Sequence, residues 1–224
     1  MITTFQNKTI AIVGGTGREG KGLAYRWAKA GHKIIIGSRN KEKAQSAANE
    51  LLQLLGDAAL VTGTDNIEAV QNAEIVTLTV PYSAHRSTLE NIKESLTGKL
   101  LIDVTVPLMP PHVTKVQMPP AGSAALETKE ILGGGAQVSS AFQNISFEHL
   151  LSDEQIACDV LVTGTSREAR ETTLALVSEA GLKGWDAGPI ENSIVAEGLT
   201  SILIGINKKY EFSSAGIKIT GIDS

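Results

Sequence analysis

The chain has 224 residues, a formal net charge of −4 and a single cysteine. That length is enough to bury a real hydrophobic core in one large domain or two modest ones. The mildly negative charge argues against a generally basic nucleic-acid surface and against strong attraction to anionic membranes.

Several further classes are disfavoured by what the sequence lacks. No apolar run approaches the length of a membrane span, and residues 1–8 have no apolar core of the signal-peptide type. Cys158 has no second cysteine with which to form a disulfide or a thiolate cluster, and we expect no metal site. These features predict a protein of the reducing cytoplasm with no nucleic-acid or membrane partner.

A glycine-rich motif dominates the first part of the chain. Residues 10–13 are apolar, residues 14–20 read GGTGREG, residues 21–30 have a helical pattern, and residues 33–36 are apolar again. A strand, glycine turn, helix and strand in this order form the context in which GxGxxG predicts a dinucleotide site.

Each glycine of the motif has its own physical role. Gly15 permits the tight turn, Gly17 lets the backbone approach a pyrophosphate, and Gly20 lets the helix lie close to the strand. The helix N-terminus then offers free N–H groups and a partial positive charge to the phosphates.

The end of the second strand indicates which dinucleotide is bound. NAD requires a carboxylate there for the ribose 2′-OH, whereas this chain has Ser38 and Arg39, followed by Lys43. One hydroxyl and two cations suit a 2′-phosphate, so we predict NADP. The alternative is that both cations are solvated surface residues.

Strands and helices keep alternating further along the chain. Helical patterns at residues 44–55, 66–71 and 83–96 are separated by strand patterns at residues 59–62, 74–80 and 99–106. Such alternation predicts parallel strands with right-handed crossovers, whose carboxyl ends gather at one edge of the sheet.

Two features belong near that edge. Residues 79–82 (TVPY) end a strand there, so they are expected near the reactive end of the cofactor. His85 lies in the first turn of the next helix, as either a solvent-exposed residue or a contact to the nicotinamide or ribose.

A proline-rich loop is expected at residues 109–122, followed by a helix at 123–132, a strand at 136–142 and a loop at 143–146. Beyond residue 147 no second glycine turn occurs, although strand and helix patterns continue, including a β-like tail at residues 214–222. We predict an α/β protein in which a Rossmann-type doubly wound parallel sheet (residues 1–146) is followed by a small C-terminal α+β domain (residues 147–224).

A long apolar helix is predicted at residues 190–207. Its apolar residues predict either core packing or the seam of a dimer. They are Ile194, Leu199, Ile202, Leu203 and Ile206.

Taken together, these motifs resemble those of the F420-dependent NADP oxidoreductases. The segments that carry the resemblance are IAIVGGTGREGKGLAYRWAKAGHKIIIGSR, TVPY with His85, DVTVPL, VSSAFQN, DAGPIENS and AGIKITG. The resemblance implies NADP and the deazaflavin coenzyme F420 as co-substrates, F420 in a cleft between two domains, and a homodimer. The loop QNIS at residues 143–146 departs from the family pattern.

The resemblance also implies site residues in three groups. They are Thr16, Gly17, Arg18 and Glu19 with Gly15 at the pyrophosphate; Ser38, Arg39 and Lys43 at the 2′-phosphate; and Thr79, Val80, Pro81 and His85 at the nicotinamide half.

Hydride transfer between two such cofactors needs little acid or base from protein, so we expect no obligatory catalytic side chain. Two other readings remain open at this point. One is an NADPH-dependent reductase of another acceptor, such as a flavin or an imine or keto substrate, and the other is a non-catalytic NADP(H)-sensing protein.

Overall fold

The computed structural model describes residues 7–56 and 58–221 of the chain. Strands and helices alternate along it, as the sequence predicts. The strands are β1 (Thr9–Val13), β2 (Lys33–Ser38), β3 (Val61–Asp65), β4 (Ile75–Leu78), β5 (Leu100–Asp103), β6 (Gln137–Ser140), β7 (Asp159–Gly164) and β8 (Lys183–Pro189). The helices are α1 (Arg18–Lys29), α2 (Lys41–Leu55), α3 (Asn66–Gln71), α4 (Tyr82–Ile92), α5 (Ala124–Leu132), α6 (Arg167–Glu179) and α7 (Ser193–Tyr210).

All the strands join one sheet, in the order β3-β2-β1-β4-β5-β6-β7-β8. The first six are parallel, whereas β7 runs antiparallel to β6 and β8 runs parallel to β7. The chain starts in the middle, builds outward to β3, and then returns to place β4 on the other side of β1. This order confirms the Rossmann-type α/β fold, and its reversal between β1 and β4 opens a crevice at the carboxyl ends of the strands.

Local sequence explains where the helices begin. Asn40, Asp65, Ser123 and Ser166 each cap a helix by accepting a backbone N–H with the side chain. Helix α1 differs, because its N-cap is Gly17 and no side chain caps it. Its first N–H groups therefore stay available to a ligand.

Helices cover both faces of the sheet, so the central strands are apolar throughout and β1 is buried from Ile10 to Val13. One core cluster contains Trp27 of α1, and the other contains Leu89 and Ile92 of α4. No helix among the described residues is long and apolar enough to cross a membrane.

The C-terminal part of the chain is tied closely to α1. The Trp27 indole N–H donates to the Leu176 carbonyl at 2.8 Å, and its ring packs edge-on against Phe142. The Arg26 guanidinium donates to four carbonyl groups, those of His149, Leu150, Ala180 and Glu154. Strands β7 and β8 extend the same sheet, and the domain boundary expected at residue 146 stays a prediction.

The predicted strand in the C-terminal tail is wrong for residues 214–221, and Ile222 lies outside the described residues. This segment runs beside β7 without forming a regular ladder. One backbone hydrogen bond joins the two, from the Asp159 N–H to the Ile217 carbonyl at 2.8 Å. The other bonds use side chains, since Ile217 N–H donates to Cys158 Sγ and Ile219 N–H donates to the Asp159 carboxylate. Cys158 itself is buried.

Candidate active site

A cleft with a volume of about 1110 Å³ opens along the carboxyl edge of the sheet. Its lining comes from the segments that follow β1, β2, β4, β5 and β6, and from one face of α7. Pockets that hold one drug-sized ligand have volumes of about 300–1,000 Å³. The cleft is slightly larger than that range, which suits an extended ligand.

The glycine turn at one side of the cleft has very little free space. Gly14 has a φ of +77°, the left-handed conformation that favours glycine. A Cβ on Gly15 would lie 2.7 Å from the Ile12 carbonyl oxygen, and a Cβ on Gly20 would lie 2.7 Å from Gly15 Cα. Gly15 therefore lies in a tight turn, where a side chain would not fit. The positive φ belongs to Gly14 and not to Gly15. Gly15 does not line the cleft.

Gly17 is the exception in this turn, because the nearest atom to its absent Cβ is the Gly14 carbonyl oxygen at 3.6 Å. The space beside it is open to the cleft, which Gly17 lines together with Thr16, Arg18 and Glu19. Open space beside uncapped N–H groups at a helix N-terminus fits a phosphate group.

Two charged side chains flank that helix N-terminus. Burial raises the pKa of Glu19 to about 8, so the carboxyl group is largely protonated at neutral pH and does not repel an anion. The Arg18 guanidinium lies 5.3 Å from the centre of the Phe147 ring, a cation–π contact that joins the glycine turn to the loop after β6.

The next group of predicted residues lies beyond β2. Ser38, Arg39 and Lys43 all line the cleft. Asn40 caps α2 by accepting the Lys43 N–H at 2.7 Å, and the helical turn brings Lys43 back towards Arg39. Among the described residues, no carboxylate lies within 4.0 Å of either cation. Two free positive charges beside a hydroxyl suit a phosphate monoester.

Sequence reasoning missed Asn66, which also lines this end of the cleft. It is 5% exposed, and its Oδ1 has no hydrogen-bond partner. The amide packs against Gly37, where a Cβ would lie 2.9 Å from Oδ1. Nothing in the helical pattern of residues 66–71 distinguishes this side chain.

The segment after β4 forms the middle of the cleft. Thr79, Val80 and Pro81 line it as expected, and the Thr79 hydroxyl donates to the Val13 carbonyl at 3.0 Å. Tyr82 and Ala84 from the first turn of α4 line it as well.

His85 does not lie where either reading of the sequence placed it. It is 0% exposed and is absent from the cleft lining, so both the solvent-exposed position and the direct nicotinamide contact need correction. The ring stacks against Tyr82, which lines the cleft, and its Nε2 lies 2.8 Å from Asp103 Oδ2. The buried carboxylate on β5 holds the imidazole where it has no exposed surface.

The far wall of the cleft is the loop after β6. Phe142 has a φ of +73°, which turns the chain sharply. Gln143 donates to the Asp103 carbonyl at 2.8 Å, and its own carbonyl accepts the Thr200 hydroxyl at 2.8 Å. Asn144 donates to the Ala196 carbonyl at 2.9 Å. The QNIS loop is therefore fixed between β5 and α7.

Helix α7 contributes residues that the sequence did not indicate as part of a site. They are Thr200, Leu203, Ile204 and Asn207. The proline-rich loop, predicted as irregular, is irregular in the structure and contributes Leu108, Pro110 and Val113. Among the described residues, no group of three or more His, Cys, Asp and Glu side chains is placed to hold a metal ion.

The arrangement defines a dinucleotide-binding protein of the Rossmann class, whose cleft continues past β4 to the loops after β5 and β6 and to α7. A model of the family described as "NADP oxidoreductase coenzyme F420-dependent" matches residues 9–107. The chain is also 40% identical over 222 residues to the F420-dependent NADP reductase of Methanocaldococcus jannaschii, a match that covers 96% of this chain and 99% of the relative.

A second relative, the F420-dependent NADP reductase of Methanothermobacter marburgensis, is 39% identical over 95% of this chain and 98% of its own length. The chain belongs to the family of F420-dependent NADP oxidoreductases. A solved structure from Arthrobacter sp. FB24, a candidate F420-dependent NADP reductase, matches 95% of this chain and 99% of its own with a TM-score of 0.80. At 23% identity it supports the fold alone.

The glycine geometry predicts different effects of two alanine substitutions. Gly17→Ala is expected to change the free energy of unfolding by less than about 1 kcal/mol, since its Cβ has room. It should still weaken NADPH binding about tenfold or more, because the methyl group occupies the phosphate position.

Gly20→Ala serves as the comparison, and we expect it to lose about 1–3 kcal/mol of stability through backbone overlap. Chemical denaturation and NADPH titration measure the two quantities separately. Unchanged NADPH affinity in Gly17→Ala would contradict the assignment of this turn to the pyrophosphate.

Proposed function

We propose that this protein is an NADPH:F420 oxidoreductase, which transfers hydride between NADP(H) and the deazaflavin coenzyme F420. The observation that carries this function is the near-full-length similarity to reductases named for both compounds. The cleft agrees with it, because its lining includes the cations Arg39 and Lys43 after β2 and continues to the loop after β6 and to α7.

The dinucleotide is assigned to the half of the cleft above β2, β1 and β4. Backbone N–H groups of residues 16–19 bind the pyrophosphate, while Ser38, Arg39 and Lys43 bind the 2′-phosphate. Thr79, Val80 and Pro81 then lie beside the nicotinamide half.

The part of the cleft beside β5 and β6 is assigned to F420. Residues of α7 line this part, so the segment from residue 147 onward forms its outer wall. This placement is the reason for keeping residues 1–146 and 147–224 as two functional parts, although they share one sheet.

Nicotinamide and deazaflavin, when bound, supply the hydride chemistry themselves. The residues of the chain align the two rings and exclude water, a task for which an apolar cleft centre is suited. The apolar side chains there are Val80, Pro81, Val104, Val106, Leu203 and Ile204. No side chain is assigned as an obligatory acid, base or nucleophile.

A spectroscopic experiment tests this function directly. Protein, NADPH and F420 are mixed, and the F420 absorbance band is expected to disappear as the deazaflavin is reduced. Consumption of NADPH by a flavin, imine or keto acceptor, with F420 untouched, would establish the alternative reductase. Tight NADPH binding without oxidation by any acceptor would establish a sensing protein.

Arg39 is the residue on which the preference for NADP depends most. Arg39→Ala should weaken NADPH binding by about tenfold to a hundredfold, since a charge-assisted hydrogen bond contributes about 1.5–3 kcal/mol. NADH binding should change little, because NADH has no 2′-phosphate. Isothermal titration with both dinucleotides measures the difference.

Lys41→Ala is the matched control, because Lys41 is a cation two residues further along the chain but pairs with Glu68 at 2.8 Å and does not line the cleft. Equal losses of NADPH and NADH affinity in Arg39→Ala would remove the assignment of the 2′-phosphate site.

We also propose a homodimer whose seam includes the outer face of α7. Val195 and Ile202 are 64% and 51% exposed, and Ile194 is 40% exposed, whereas Leu203 packs inward and is 8% exposed. An exposed apolar row on one helix is costly in water unless a partner covers it. A reducing cytoplasm remains the proposed location.

The oligomeric state can be measured by light scattering. The protein is expected at twice its chain mass of 23.6 kDa, and Val195→Glu with Ile202→Lys should shift it to the monomer. A wild-type monomer at all concentrations tested would remove the seam.

A further inference from the structure

A buried cluster of charged side chains lies behind the cleft, between α4, β5 and α5. His85 and Asp103 are both 0% exposed, with Nε2 and Oδ2 2.8 Å apart. The Thr128 hydroxyl donates to the same Asp103 oxygen at 2.6 Å. Neither His85 nor Asp103 lines the cleft.

Other charged groups face this pair from each neighbouring element. Glu127 of α5 has Oε2 3.5 Å from His85 Nδ1, and that nitrogen has no hydrogen-bond partner. Tyr82 and Arg86 of α4 both bind the Glu127 carboxylate. From α7, Glu197 approaches with its carboxylate bound to the first N–H groups of α5.

Burial of so many ionisable groups stabilises a fold little, because the cost of removing charges from water offsets their attraction. A cluster of this kind therefore calls for a role beyond packing. The contacts that Asp103 makes on its other side supply that role.

Asp103 contacts two cleft-lining residues, which lie in the loops that follow β5 and β6. Its side-chain Oδ1 accepts the Thr105 backbone N–H at 2.9 Å. Its backbone carbonyl accepts Gln143 Nε2 at 2.8 Å. The Asp103 side chain, which pairs with His85, thus holds Thr105 at the cleft wall.

We infer that His85 and Asp103 act as a positioning pair, which holds Thr105 in the orientation that aligns the second substrate for hydride transfer. The inference rests on the proposed function for the identity of that substrate. His85 acts through Asp103 and does not touch either cofactor.

The protonation of the pair gives the inference a measurable signature. Burial tends to lower the pKa of His85, but the carboxylates of Asp103 and Glu127 outweigh burial and raise it above the ordinary value of 6.5. The pKa of Asp103 is lowered, because His85, Thr128 and the Thr105 amide outweigh its burial. The raised pKa of His85 and the lowered pKa of Asp103 both favour the ion pair, which is lost as rising pH deprotonates His85.

The principal test compares His85→Gln with a matched variant elsewhere in the fold. His32 is 1% exposed and its Nε2 lies 2.8 Å from Glu179 Oε2, but it does not line the cleft. His85→Gln is expected to lower kcat for F420 reduction about tenfold or more while leaving the Kd of NADPH within about twofold. His32→Gln should leave both within about twofold.

The pH profile of kcat supplies a second measurement. The wild type should lose activity at alkaline pH as His85 deprotonates, and His85→Gln should lack this limb. Thr128→Val, which removes only the hydroxyl bound to Asp103, should show a smaller loss of kcat and keep the limb. If His85→Gln does not fold, Thr128→Val takes its place in the kcat comparison with His32→Gln.

Nuclear magnetic resonance tests the inference without turnover. The Thr105 amide resonance of the wild type should titrate with the pKa of the His85 ring, and this titration should be absent in His85→Gln. Similar kcat in His85→Gln and His32→Gln, or a Thr105 resonance that ignores His85, overturns the positioning pair. Failure of the wild type to reduce F420 removes the proposed function instead, and the resonance experiment still decides whether the pair holds Thr105.

Discussion

The cleft depends on one constraint, the reversal of the strand order between β1 and β4. The first crossover leaves β1 toward β2, while the later one places β4 against the other side of β1. The loops that follow these two strands therefore separate and leave a crevice between them. Because Gly20 has no side chain, α1 can begin directly over that crevice with its free N–H groups facing it.

The same constraint explains why the dinucleotide half of the site could be predicted from the sequence and much of the rest could not. The glycine turn, Ser38, Arg39 and Lys43 lie within one local strand, helix and strand unit, so their positions follow from local periodicity. The helices and most strands were predictable for the same reason. The antiparallel direction of β7 depends on its pairing with β6. The irregular tail depends on Cys158 and Asp159, which lie far from it in the chain.

His85 illustrates this limit most clearly. A position in the first turn of α4 is compatible with several directions around the helix, and the sequence contains no local signal that selects one. The direction is decided by Asp103 on β5 and Thr128 on α5, which lie 18 and 43 residues further along the chain. The sequence did not predict helix α7 as part of the cleft wall for a comparable reason. Hydrophobic residues that face a substrate have the same sequence pattern as residues that face a core.

The hydrogen bonds from Arg26 and Trp27 to the C-terminal segment affect where the chain can be cut into fragments. Helix α1 starts at the phosphate position and ends where Arg26 binds four carbonyl groups between His149 and Ala180. A fragment cut after residue 146 would expose the Trp27 indole and leave this guanidinium without its acceptors. Recombination with other Rossmann proteins should therefore keep α1 together with its own C-terminal segment, because Arg26 and Trp27 bind that segment.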